Sequence, residues 1–139
     1  MVRLIMGISG SGKTKTLVDL VRNAVEEESG DVVVIEPKKA LTFDIPYRAR
    51  LIHAEEYAVQ STDMLCGFLS GLAAGNYDIT HVFIDNLFKI VGKCPAEDLA
   101  KLLDWMDAFG KKENTTFTVT VSDSPDVYGE AVTKYIVEA

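Results

Sequence analysis

Gly7-Ile8-Ser9-Gly10-Ser11-Gly12-Lys13-Thr14 has the spacing G-x-x-x-x-G-K-[ST], and its reading decides the fold. The glycines stand where a backbone must turn tightly and aim successive N–H groups at the oxygens of a phosphate chain. Lys13 can reach the β and γ phosphates, and the Thr14 hydroxyl is a hard oxygen ligand suited to Mg²⁺. A helix opening at Gly12 directs its positive dipole end and its unpaired N–H groups at the same anion. The candidate phosphate-binding set is therefore Gly7, Ser9, Gly10, Ser11, Gly12, Lys13 and Thr14, with Thr16 on the following turn.

The flanks match what such a loop requires. Val2 to Met6 is a short, mostly apolar strand. After the loop, Leu17, Val18, Val21, Ala24 and Val25 recur at helical spacing, with Asp19, Arg22, Asn23 and Glu26 on the other face. Strand-like and helix-like segments then alternate, which predicts a parallel α/β sheet of about five strands, sandwiched as the middle of three layers in one domain. Asp31 to Glu36 is an apolar strand ending in an acid, and Arg50 to His53 reads as a third short strand. Ser61 reads as the N-cap of a helix whose apolar face is Met64, Leu65, Phe68, Leu69, Leu72 and Ala73, ending at Gly75-Asn76. Gly67 and Gly71 on that helix suggest close packing on the sheet.

His81 to Asp85 is a second apolar strand ending in an acid. Pro95 reads as the first residue of a helix with Leu99, Leu102, Leu103, Met106 and Phe109 inward, closed by Gly110. Thr115 to Val121 alternates Thr with Phe or Val, which fits a sheet edge or a poorly covered face better than a central strand. Ser124-Pro125-Asp126 reads as the cap of a last helix with Tyr128, Ala131, Val132, Tyr135 and Ile136 inward.

Composition sets bounds. The 139 residues suit one domain, and 47% are apolar, enough for a core. No apolar run approaches the ~20 residues that span a bilayer. No secretory hydrophobic region precedes the loop, and the first residues read as the native start. Cys66 and Cys94 are far apart in apolar surroundings, as expected of reduced thiols in a cytoplasm. A metal site from Cys66, Cys94, His53 and His81 lacks any ligand pair at zinc-finger spacing. A net charge of −7 disfavours broad nucleic-acid or anionic-membrane binding.

In an open α/β sheet, ligands sit outside the carboxyl ends of the strands. Here those ends bring Glu36, His53 to Glu56, Asp85-Asn86 and Ser122-Asp123 towards the loop, a set of oxygen donors suited to magnesium and a triphosphate. The loop, the acidic strand at 81–85 and the polar strand end at 120–123 resemble a P-loop NTPase. The whole chain is also similar to a group of very small bacterial P-loop proteins, some labelled twitching-motility (pilus-retraction) ATPase-like. That similarity implies nucleotide binding, not the motor role.

The resemblance implies roles for particular residues. Asp85 would hold Mg²⁺ with Thr14, directly or through water. Additional-strand ATPases, including RecA-like motors, often carry a catalytic glutamate directly after this aspartate; this chain has Asn86, whose amide can orient a water but cannot accept its proton. Glu36 stands where RecA-like proteins place a water-activating glutamate, and its rival reading is a strand-end charge before the Pro37 turn. Ser122, or alternatively Thr120, resembles the polar sensor of the γ-phosphate. Arg48 and Arg50 are candidates for charge stabilisation in cis or across a homo-oligomer interface, and Tyr57 for stacking on a base. His53 and His81 read as structural.

Three functions compete. The first is a cytoplasmic Mg–ATP-binding protein with slow or partner-stimulated hydrolysis, in which Lys13 and Glu36 serve the chemistry. The second is a nucleotide-dependent interaction module acting on a protein partner without useful turnover. The third is a small-molecule or nucleotide kinase, disfavoured because no arginine follows Arg50 to furnish a lid. No N/T-K-x-D guanine motif is present, which favours adenine.

Overall fold

The computed structural model describes residues 1–137. Five parallel strands, β1 (Val2–Gly7), β2 (Asp31–Glu36), β3 (Arg50–His53), β4 (Ile79–Ile84) and β5 (Thr116–Ser122), form one sheet in the order β1-β5-β4-β2-β3. The helices are α1 (Lys13–Glu27), α2 (Thr62–Gly75), α3 (Leu87–Val91), α4 (Ala96–Glu113) and α5 (Glu130–Thr133). Three layers result, because alternate strand residues face opposite sides. Leu17, Val18, Val21, Ala24 and Val25 of α1 pack on Val32, Val34 and Phe83. Val33, Ile35, Val82, Ile84, Phe117 and Val119 face the opposite layer, where Leu65, Leu69, Leu99, Leu103 and Met106 cover them.

The Thr-bearing strand differs from expectation. β5 lies between β1 and β4 and is hydrogen-bonded on both sides. Thr118 and Thr120 are each only 1% exposed. Their hydroxyls are tolerated there because β4 supplies partners. Thr118 pairs with His81 Nε2 at 2.8 Å, and Thr120 donates to Asp85 at 2.8 Å.

Four further readings are corrected. Gly67 and Gly71 are exposed, with open space where a Cβ would lie, so they do not mediate close packing. Pro95 is the N-cap of α4, whose first helical residue is Ala96. Gly110 does not end α4: the helix runs to Glu113 and is capped by Asn114 at φ 55°. Gly110 is instead a contact point, where a Cβ would stand 2.5 Å from the Thr115 carbonyl oxygen. The last helix is a 3₁₀ turn (Pro125–Val127) followed by the single turn of α5, and Ala131 is exposed. The chain then lies along β1, with Leu4 N–H donating to Tyr135 O (2.8 Å) and Val137 N–H to Leu4 O (3.0 Å).

No helix of the described residues is long and apolar enough to cross a membrane.

Candidate functional site

The loop between β1 and α1 is shaped by two residues in the left-handed region, Gly10 (φ 84°) and Gly12 (φ 91°), where a side chain would be strained. At Gly7 a Cβ would meet Ser11 Oγ at 2.5 Å, the end of a side chain that can rotate away. Gly12 occupies the N-cap position without a side-chain acceptor, and no acid stands in the first turn of α1. The leading N–H groups of a 15-residue helix are therefore free of any carboxylate of its own. Lys13 is 9% exposed, and its ammonium folds back to donate to Ile8 O at 2.9 Å and to Ser11 Oγ at 3.4 Å. The loop thus holds its cation against its own backbone. Thr16 donates to Gly12 O at 3.1 Å, inside the helix, rather than towards the loop mouth.

Thr14 and Asp85 meet across 71 residues of sequence, with the hydroxyl 3.2 Å from Oδ2 and 3.3 Å from Oδ1. Asp85 is 6% exposed and is held twice more: its N–H donates to Ile35 O, and Thr120 donates to its Oδ1. Asn86 takes a left-handed conformation, φ 60° and ψ 57°, and its backbone N–H donates to the same Thr120 oxygen at 2.8 Å. This turn aims the Asn86 side chain at β5, where Ser122 Oγ lies 3.4 Å from Asn86 Oδ1. The hydroxyl–carboxylate pair has the donor set of an oxygen-liganded divalent cation that keeps several waters.

Two clefts join at Thr14 and Asn86. One, of about 330 Å³, is lined by Ser9, Gly10, Gly12, Lys13, Lys15, Thr120 and Ser122. The other, of about 710 Å³, runs past Asp85 and Glu36 to an apolar wall that includes Leu41, Val59 and Ile90. The fold therefore brings together the loop, Asp85, Asn86, Thr120 and Ser122, and sets Glu36 in the wall of the adjoining cleft.

Glu36 is otherwise engaged. It is 1% exposed, and its carboxylate accepts the backbone N–H groups of Ala40 (3.1 Å) and Leu41 (3.2 Å). His53 Nδ1 lies 3.1 Å from Oε2, yet this buried nitrogen has no hydrogen-bond partner among the described residues. The carboxylate caps the turn after Pro37 through these two N–H groups, keeps acceptor capacity beyond them, and stands in the lining of the second cleft.

Arg48 and Arg50 lie beside the β3 edge and line neither cleft at the loop. Tyr57 is half-exposed, packs near Phe68 with ring centroids 5.8 Å apart, and lines neither cleft. His81 belongs to the far end of the sheet, bonded to Glu28 (2.7 Å) and Thr118. Cys66 and Cys94 are free thiols, and burial raises both above the ordinary thiol value.

Thr120 is the residue that sequence reasoning undervalued. Its signal was the threonine alternation itself: a buried hydroxyl in a central strand needs a partner, and the acid ending β4 was the nearest candidate.

No protein-family model matches the chain, and no curated protein matches it.

Proposed function

We propose that the chain binds a magnesium–nucleoside triphosphate, with ATP as the nucleotide, at the loop from Gly7 to Thr14, and that it is a P-loop NTPase hydrolysing ATP slowly or under stimulation by a protein partner. One observation carries this reading: the Thr14 hydroxyl and the Asp85 carboxylate converge at 3.2 Å beside a loop whose cation and helix N-terminus answer negative charge. The position of β5 between β1 and β4 supports the additional-strand class. Mg²⁺, when bound, would neutralise charge on the phosphate oxygens. Thr14 and Asp85 would hold it, with Thr120 fixing the carboxylate. Lys13 would leave Ile8 O and Ser11 for the phosphates, an exchange of one set of polar contacts for stronger charged ones. Asn86 would orient a water, and Ser122 would face the terminal phosphate.

Slow turnover follows from what surrounds that water. Asn86 cannot take its proton, and Glu36 is bound to the Ala40 and Leu41 amides. The same observation favours a second reading, a nucleotide-dependent interaction module with no significant hydrolysis. Phosphate release measured with and without Mg²⁺, alone and in cell lysate, separates the two. Calorimetry on Lys13→Ala tests their shared premise: the loss of a charge-assisted phosphate contact should weaken ATP binding by ~1.5–3 kcal/mol. Undiminished binding would sink both readings.

A further inference from the structure

The two edges of the sheet are treated differently. The outer edge of β1 is covered by the chain's own segment from Tyr135 to Val137, through two backbone hydrogen bonds to Leu4. β3 ends the strand order at the opposite side, and among the described residues no segment pairs with its outer backbone. An open edge is a template for another strand, and proteins ordinarily cover or blunt it.

The surface beside this edge is shaped and charged. β3 begins opposite Val33, so β2 outruns it and leaves Asp31 and Val32 without a partner on that side. A groove of about 770 Å³ opens there, with Val32, Ile45, Leu51 and Leu72 among its apolar lining. Tyr47, Arg48 and Arg50 also line it, and Tyr47 is fully exposed, as is Phe43 four residues earlier. Neither arginine makes an ion pair among the described residues. Arg48 and Arg50 face a single acid in the groove lining, Asp31, in a chain of net charge −7.

We propose that the β3 edge and its groove receive an extended, acidic segment of a partner protein as an added strand. Main-chain hydrogen bonds to β3 would supply part of the affinity, alternate apolar side chains would enter the groove, and carboxylates would meet Arg48 and Arg50. The exposed aromatic rings fit the same use, since Tyr and Phe are enriched where proteins meet. A second copy is the rival occupant: two β3 edges pairing about a twofold axis run antiparallel, and the oligomeric state tests that arrangement. A nucleic acid is a poorer occupant, because it makes no use of an open backbone edge or an apolar floor, and beyond these arginines it meets a chain of net charge −7. This inference does not rest on nucleotide binding.

The test titrates the full chain with fluorescent peptides of about six residues, the usual strand length. One alternates Val and Glu, one alternates Val and Lys, and one repeats the first with a central proline, which cannot continue a strand ladder. An oligothymidylate is the nucleic-acid arm. The Val/Glu peptide should bind, more weakly as salt rises, and the proline and lysine peptides should not. Arg48→Glu combined with Arg50→Glu should weaken it about tenfold without shifting the thermal unfolding midpoint, since both side chains are exposed. Equal binding of the lysine or proline peptide overturns the proposal. So does tighter binding of oligothymidylate, a dimer that closes the edge by itself, or no peptide binding at all. The proline contrast stands even if the double variant fails to fold.

Discussion

The Thr120 hydroxyl donates to Asp85 Oδ1 at 2.8 Å, and the same oxygen accepts the Asn86 N–H at 2.8 Å. One buried side chain on β5 thus fixes both the carboxylate that ends β4 and the left-handed turn that follows it. Asp85 has Thr14 on its other side, so its orientation is set from two directions before any ligand arrives. Thr120→Val keeps the shape and removes both bonds. It should cost about 1–3 kcal/mol in urea unfolding, the penalty for leaving a buried donor unpaired. ATP affinity should fall more in the presence of Mg²⁺ than in its absence. Unchanged stability together with unchanged Mg²⁺ dependence would show that Thr120 positions nothing.

Glu36→Gln separates structure from chemistry in the second cleft. The amide keeps one acceptor oxygen for Ala40 and Leu41 but loses the charge that strengthens both bonds. Stability should fall by about 1 kcal/mol, and the turn after Pro37 should become easier to cleave by a protease. Phosphate release should stay near the wild-type rate. Turnover abolished with ATP binding and stability intact would instead assign Glu36 the role of general base.

The parts of this fold that are legible in sequence are those whose signal is local. The loop from Gly7 to Thr14, the five-residue apolar face of α1, the Ser61 cap of α2 and the acids ending β2 and β4 are each written within one element, and each appears where expected. The misread parts depend on distant partners or on lengths too short for a period. Thr118 and Thr120 read as half-exposed because His81 and Asp85, which pair with them, are 37 and 35 residues away. α3 has five residues, fewer than two helical turns, and leaves no periodic trace. Tyr128 and Val132 are both buried at a helical spacing, but Gly129 breaks the helix between them and the tail is captured by β1. Glu36 shows the same limit at the site. Its place at a strand end is local, but its engagement by Ala40 and Leu41 depends on the path of an irregular turn.

His81 makes stability depend on pH. Its ring stacks on Phe83 at 4.0 Å, and its partners fit a neutral imidazole, with Nδ1–H donating to Glu28 and Thr118 donating to Nε2. Burial pushes its pKa below the ordinary 6.5, outweighing the opposing pull of Glu28. The folded state thus resists a proton that the unfolded state accepts. The contribution of His81 is fully present above pH 6.5 and is lost as pH falls below it towards the lowered folded value. Urea midpoints should drop over that range in the wild type. In His81→Phe the overall stability should be lower, and the drop should be shallower. Identical slopes in the two proteins would place the pH dependence elsewhere.

Two glycines on the same helical layer should respond to alanine with opposite signs. Gly67 lies in α2, exposed, and nothing stands within 4 Å of the position its Cβ would take. Alanine there adds no clash and restricts the unfolded chain, so Gly67→Ala should stabilise by roughly 0.5–1 kcal/mol. Gly110 lies in α4 against the start of β5, where a Cβ would stand 2.5 Å from Thr115 O and 3.4 Å from Phe117 Cδ2. The nearer obstacle is backbone, anchored by the parallel pairing of Thr116 with His81, so it cannot swing aside as a side chain would. Gly110→Ala should therefore destabilise by about 1–3 kcal/mol, as overpacking does. Thermal unfolding of the two variants beside the wild type decides the matter: midpoints that move in the same direction would mean that α4 does not bear on β5 as closely as the Thr115 contact requires.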